Sequence, residues 1–169
     1  VVRADFEAVR RLAAESSRAG TEKLTPLHAA SLNDASQHMV EFLLRAGAPK
    51  DIVDDAGFAP LHRMAQFNRI YGATALLAYG AEANKKVRGT DDTPLHIASE
   101  WASAPILRRA LAHPTAARAM AAADGSGGRP LDRALAAGRS ENSTLLLATL
   151  KAQRGGEALL PALATHALG

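Results

Sequence analysis

The chain has 169 residues, of which 47% are hydrophobic but only 4% aromatic, and 20 basic against 17 acidic residues give a net charge of +3. This length suits one domain or a short array of repeats, and the preference for alanine and leucine over large rings favours closely packed helices. The lack of cysteine excludes disulfides, thiolate catalysis and cysteine-ligated zinc, and no apolar run reaches the ~18 residues of a membrane span.

The start of the chain gives the first predicted element. Segment 5–12, DFEAVRRL, has the apolar spacing of one amphipathic helix. No basic region followed by an apolar stretch precedes it, so no signal peptide is predicted. The chain opens Val1-Val2 without a methionine, which favours a fragment or a trimmed product. The cysteine-free composition is compatible with the cytoplasm or another reducing compartment.

Four related segments then follow along the chain, TPLHAA, APLHRM, TPLHIA and RPLDRA. Their prolines occupy positions 26, 60, 94 and 130, so the separations are 34, 34 and 36 residues. A second motif, LLRAGA and then LLAYGA, trails the first, and its glycines Gly47 and Gly80 are 33 residues apart. Two motifs that recur in phase indicate stacked helical repeats.

Each motif has a physical reason. Proline suits the first position of a helix, where its missing N–H is no loss, and the preceding threonine is expected to cap that helix through its hydroxyl. Leucine and alanine then line an inner helix, and an outer helix with apolar spacing follows it. Gly47 and Gly80 are expected to end the outer helices in a left-handed conformation.

This pattern resembles the ankyrin repeat over roughly residues 20–148. The resemblance implies an all-α solenoid of stacked helix-turn-helix units with short β-hairpin-like finger loops, which forms one domain over 1–169. The predicted units are a truncated amino-terminal repeat at 1–19, full repeats at 20–53, 54–87, 88–123 and 124–150, and a degenerate repeat or carboxyl-terminal cap at 151–169.

The chain departs from a regular repeat at several points. Lys23 and Asp91 stand where two other fingers carry Gly57 and Gly127. The third repeat has HPT at 113–115 in place of a helix-ending glycine, so the following segment 116–123 is predicted to be remodelled. In the tail, the glycine pair at 155–156 predicts a flexible break.

Three histidines, His28, His62 and His96, occupy the same repeat position. Adjacent helices pack ~8–10 Å apart, whereas zinc requires each nitrogen within ~2.1 Å, so these side chains are not expected to share a metal. Each ring is instead predicted to bond loop backbone and tie a finger to its helix. No metal site, cofactor or catalytic set is predicted anywhere in the chain.

Two other segments suggest ligands only weakly. The run DGSGG at 124–128 lacks the Gly-Lys-Ser/Thr of a phosphate-binding loop and no strand precedes it, so a finger is predicted there. Lys85, Lys86 and Arg88 form a short basic run beside two aspartates, which favours a solvated finger over a nucleic-acid contact.

By the same resemblance, partner contacts fall on the concave face, at the finger tips and at the exposed edge of the inner helices. The predicted partner-binding residues are Trp101, Phe67, Phe58, Glu100, Gln66, Asp55, Lys86, Thr90, Asp92, Leu24, Leu32 and Asn33. The five apolar members are expected to form an exposed patch, as interaction sites often do. Trp101 and Phe67, one repeat apart, are predicted to form an aromatic ledge framed by Phe58 and by the third finger.

The sequence thus predicts a non-catalytic module that binds another protein or peptide. Two alternatives stay open at this point. The first is a targeting or regulatory segment of a larger enzyme, such as a kinase, a ligase or a bacterial effector, whose catalytic part lies outside this chain. The second is recognition of a nucleic acid or lipid headgroup through the basic finger, although a nucleic acid is disfavoured. The expected state is a monomer, with end-to-end pairing at the truncated amino terminus as the alternative.

Overall fold

A computed structural model of the protein describes the backbone of residues 24–32 and 37–166, and the side chains of 24–31 and 38–153. The described ranges contain nine helices and no strand. The helices are α1 (Pro26–Leu32), α2 (Gln37–Arg45), α3 (Pro60–Gln66), α4 (Ile70–Ala78), α5 (Pro94–Trp101), α6 (Ala104–Leu111), α7 (Ala116–Ala121), α8 (Pro130–Ala136) and α9 (Ser140–His166).

The helix boundaries follow from proline and glycine. Each inner helix, α1, α3, α5 and α8, begins at one of the four repeated prolines. The outer helices α2 and α4 end just before Gly47 and Gly80, whose φ angles are +85° and +74°. Next to Gly47, the Ala48 N–H donates to Leu43 O at 2.9 Å, which satisfies a carbonyl at the end of the helix. The predicted helix starts and glycine stops are confirmed.

The core lies between the layer of inner helices and the layer of outer helices. One apolar cluster is centred on Leu27, Val40, Met64 and Leu76, and a second joins α5, α6, α8 and α9. The inner helices stack through small residues, since Ala30, Ala65 and Ala98 are all buried. The all-α class and the stacked helix pairs are therefore confirmed, whereas the exact repeat boundaries stay a prediction.

The fingers have hairpin bonding without strands in the described residues. Asp54 N–H donates to Phe58 O at 2.9 Å, Val87 N–H to Asp92 O at 2.8 Å, and Asp124 N–H to Gly128 O at 2.8 Å. The second of these tips is one residue longer than the others. The hairpin-like fingers predicted from the sequence are confirmed.

A left-handed residue sits in each finger tip that the structure describes. Gly57 has φ +82° and Asp91 has φ +57° in the next finger. We expect Gly57→Ala to lower the free energy of unfolding by about 1–2 kcal/mol, because a Cβ is disfavoured there and would lie 3.3 Å from Arg88 N. Asp91→Gly is the matched reverse change and should leave stability unchanged or higher. Urea unfolding of both variants measures this, and equal losses would contradict the assignment.

The third and fourth units depart from the regular pattern. The segment predicted to be remodelled forms the extra helix α7, which buries Ala116, Ala119 and Met120. Helix α9 continues through the glycine pair at 155–156, so the predicted flexible break is wrong. The role of 151–169 as a repeat or a cap stays a prediction. The predicted truncated repeat at 1–19 and its end-to-end pairing lie outside the described residues. Among the residues that are described, no helix combines the length and apolarity needed to cross a bilayer.

Candidate protein-binding surface

Three buried histidines fix the fingers to the inner helices. In each ring, Nδ1 accepts the backbone N–H of the residue three positions earlier, at 3.1–3.2 Å. The ring proton therefore lies on Nε2, which donates to a finger carbonyl: His28 to Phe58 O at 2.8 Å, His62 to Lys85 O at 3.0 Å, and His96 to Gly128 O at 3.2 Å. The predicted role of these histidines as ties between finger and helix is confirmed.

Burial lowers the pKa of all three histidines, and it lowers the pKa of His62 to about 4. The rings are accordingly neutral at neutral pH, which their two hydrogen bonds require. Within the described residues, no three His, Cys, Asp or Glu side chains are placed to hold a metal ion together.

The threonine before the inner helix is joined to the histidine. The Thr93 hydroxyl lies 2.9 Å from Nδ1 of His96. Since Nδ1 carries no proton, the hydroxyl donates to the ring. The histidine thus takes both the threonine hydroxyl and the Thr93 backbone N–H, and the hydroxyl cap stays a prediction.

Two fingers are braced by an aspartate and an arginine. In the second repeat, Asp54 Oδ1 accepts the Phe58 N–H at 2.9 Å, while Oδ2 accepts from Arg63 Nη2 at 2.7 Å. In the fourth repeat, Asp124 is held by Arg133 Nε at 2.8 Å. The hydroxyl of Ser126 and the Arg133 guanidinium lower the pKa of this buried aspartate well below its usual range. Both fingers are thereby held rigidly against their own helices.

The third finger lacks such an internal brace and depends on the fourth repeat. Arg133 Nη2 lies 2.9 Å from Asp92 Oδ1, and its Nη1 lies 3.4 Å from Glu100 Oε2. One arginine therefore holds three carboxylates from two neighbouring units. Asp92 is only 7% exposed, so its predicted place on the exposed finger surface is wrong. The reason is this ion pair, which draws the side chain inward.

The apolar residues predicted to face solvent fall into two groups. Trp101, Leu24 and Phe67 are exposed, by 54%, 49% and 37%. Phe58 is half-buried, because its ring packs against the core beneath Arg63, whose Cζ lies 4.3 Å from the ring centroid. The expectation that Phe58 belongs to the exposed patch is wrong.

The polar residues of the predicted surface are also of two kinds, exposed and half-buried. Asp55, Lys86 and Thr90 are exposed on the finger tips. Gln66 and Glu100 are half-buried, and both accept from arginines of the braces, Gln66 from Arg63 Nη1 at 2.8 Å. The side chains of Leu32 and Asn33 lie outside the described residues.

Trp101 lies at the edge of the stack where inner helices turn into outer helices. It is the last residue of α5, about 10 Å along the helix axis from the finger side. It lines a groove of about 400 Å³ together with Pro105, Arg139 and Glu141. No residue of the third finger lines this groove, and within the described residues no ring contact joins Trp101 to Phe67. The aromatic ledge of Trp101 and Phe67 stays a prediction.

The backbone around Trp101 is fixed from both neighbouring units. Asn68, in a left-handed conformation with φ +59°, accepts the Ser103 N–H at 2.8 Å. From the other side, Arg139 Nη2 donates to Trp101 O at 2.8 Å, and Asn142 Nδ2 donates to Ala102 O at 3.0 Å. The indole is consequently presented to solvent from a rigid turn.

The basic run of the third finger is partly neutralised. Lys86 pairs with Asp91 at 3.1 Å and Lys85 with Glu82 at 3.5 Å, while Arg88 is exposed. These pairs reduce the positive field that a nucleic acid or an anionic headgroup would meet at this finger.

Sequence reasoning missed the arginine braces. The signal was present, because Arg63 follows Asp54 by nine residues and Arg133 follows Asp124 by the same number. The exposed Tyr71, Arg108 and Arg109 on the outer helices were also missed, since nothing in the repeat motif marks outer-helix surface positions.

Comparison with known proteins agrees with this architecture. The sequence model of the family described as Ankyrin repeats (3 copies) matches residues 1–87, just over half of the chain. A search of curated proteins found no match.

Proposed function

We propose that this chain, which belongs to the ankyrin-repeat family, binds another protein through its finger tips and inner helices, with Trp101 as the central apolar anchor. Ankyrin repeats are generally protein–protein interaction modules and generally non-catalytic. The observation that carries the finer proposal is the exposure of the Trp101 indole, 54%, on a backbone that three hydrogen bonds from both neighbouring units hold in place.

The physical argument concerns the entropy of binding. A tryptophan on a backbone that is already fixed loses only the freedom of its side chain when a partner covers it, and tryptophan is enriched among the residues that dominate binding energy. Phe67 and Leu24 extend the apolar contact toward the first units, while Asp55, Lys86 and Thr90 supply a polar rim on the fingers. A protein or peptide surface fits this combination, because it offers both apolar and polar groups over several repeats.

Trp101→Ala tests the proposal. We expect it to raise the Kd for a partner by roughly thirtyfold, which corresponds to about 2 kcal/mol. Because the ring faces solvent, the variant should unfold at the same urea concentration as the wild type. Trp101 is the only tryptophan, so its fluorescence reports directly on its burial. Partners are first captured on the immobilised protein. Each captured partner is then titrated into the protein in solution while the Trp101 emission is followed.

Leu147→Ala is the matched control, since it removes an exposed apolar side chain from the outer helix α9. It should leave both affinity and stability unchanged. Binding at full strength by Trp101→Ala would contradict the proposed anchor, and unfolding of that variant would show that the ring supports the fold.

A further inference from the structure

A second groove lies between the outer helices α4 and α6. It has a volume of about 490 Å³. Its main lining residues are Ile70, Tyr71 and Thr74 from α4, and Pro105, Arg108 and Arg109 from α6. Arg108 and Arg109 follow Pro105 by three and four positions, which places both on the same face of α6 as that proline.

The groove carries positive charge that the facing helix α4 does not neutralise. Helix α4 contains no charged residue, and the only charged residues of α6 are Arg108 and Arg109. Arg108 reaches Glu141 at 4.0 Å, with both side chains mostly exposed, and Arg109 Nε donates to Thr74 Oγ1 at 3.4 Å. Within the described part of the chain, no carboxylate lies within ion-pair distance of Arg109.

The same groove offers apolar surface beside these charges. Tyr71 is 65% exposed, and Pro105 is exposed opposite it. Behind the groove lies a small apolar cavity of about 30 Å³, and Ile70 and Arg109 line both. The cavity arises where alanines such as Ala73 and Ala110 leave the seam between the helices incompletely filled. An apolar side chain and a carboxylate are therefore both accommodated here, next to each other.

We propose that the α4–α6 groove is a second docking site, and that it binds an acidic peptide segment in which a bulky apolar residue lies beside glutamates or aspartates. The apolar side chain covers Tyr71 and Ile70, and the acidic side chains meet Arg108 and Arg109. Charge complementarity and the indented shape favour a peptide over a flat anionic membrane, which reaches the exposed arginines but does not enter the groove. Neither Trp101 nor Phe67 lines this site, and Pro105 is the residue that lines both this groove and the Trp101 groove.

The test selects ligands without assuming a natural partner. A phage library of random twelve-residue peptides is panned on the wild-type protein and counter-selected on the double variant Arg108→Glu/Arg109→Glu. We expect the recovered peptides to combine acidic residues with a large apolar residue. A synthetic fluorescein-labelled peptide of the recovered consensus should bind the double variant at least about tenfold more weakly. Its affinity for the wild type should fall as salt is added.

Three further variants distinguish binding in this groove from binding elsewhere on the protein. Arg118→Glu changes an exposed arginine of α7 that does not line the groove, and it should leave peptide binding intact. Tyr71→Ala should weaken binding, and Trp101→Ala should not, so failure of this site and failure of the proposed anchor are distinguishable. All variants should keep the wild-type melting temperature, because the replaced side chains are exposed.

Two results would overturn the proposal. The first is recovery of peptides without acidic residues, or of peptides that bind the double variant as tightly as the wild type. The second is arginine-dependent cosedimentation with phosphatidylserine vesicles when no acidic peptide is recovered, which would assign the surface to membrane binding.

Discussion

Replacing Arg133 with leucine is expected to lower the free energy of unfolding by about 3 kcal/mol, near the lower end for breaking a buried ion pair because the arginine is itself partly exposed. The substitution leaves Asp92 and Asp124 buried without their cation. It also removes the ion pair that holds Asp92 of the third finger, which has no aspartate–arginine brace of its own. Urea unfolding at pH 7 measures the loss, and hydrogen exchange of the third finger should quicken beyond that of the second.

Arg129→Leu is the matched control, because it makes the same replacement at an exposed arginine just before α8. Its effect should stay within about 0.5 kcal/mol.

The pH dependence of stability is a second test of the role of Arg133. The lowered pKa of Asp124 means that its contribution to stability is present above its ordinary pKa and is lost as pH falls through the folded value. The loss of stability in acid that comes from Asp124 should therefore be smaller in Arg133→Leu than in the wild type. Equal stabilities of the two leucine variants would show that the arginine does not hold the third finger.

Local chemistry is what made the fold predictable. The four prolines and the glycines after α2 and α4 constrain backbone dihedral angles directly, so their positions in the sequence mark helix ends without knowledge of contacts. The histidine ties were predictable for a similar reason. A spacing of one repeat separates the three rings too far for a shared metal but leaves each beside a finger backbone.

Long-range pairing is what the sequence did not reveal. Asp92 lies 41 residues from Arg133, and only their ion pair explains why a finger residue is buried. Phe58 is likewise drawn beneath Arg63. Such outcomes depend on where side chains from different units converge, and periodicity carries no information about that.

The sequence predicted which aromatic residues of the candidate site are exposed, but not which residues surround them. Exposure of Trp101 and Phe67 followed from their position at the ends of inner helices, and it was confirmed. The repeat pattern gave no indication that the Trp101 groove is built from turn and outer-helix residues such as Pro105 and Arg139. The groove around Tyr71 was also hidden, because the family resemblance directs attention to fingers and inner helices.

Acid is expected to destabilise this fold between pH 6.5 and about pH 4, and His62 should account for about 3 kcal/mol of that loss. The buried ring is neutral in the folded protein, while in the unfolded chain it binds a proton near pH 6.5. Because the folded pKa is the lower one, the unfolded state binds more protons through this window. Stability is therefore full above pH 6.5, falls as pH is lowered, and loses nothing further from this group below about pH 4.

His62→Gln isolates the contribution of His62 to the loss of stability in acid, since glutamine can still hydrogen-bond but does not titrate. The variant should be less stable than the wild type at pH 7, and the difference should shrink by about 3 kcal/mol at pH 4. His38→Gln, at an exposed histidine of α2, is the matched control and should follow the wild type at both pH values. Urea unfolding of the three proteins at pH 7, 5.5 and 4 gives the curves. A constant difference between the wild type and His62→Gln across this range would mean that the ring takes up its proton equally well in the folded and unfolded states, and the finger tie would then not depend on a neutral histidine.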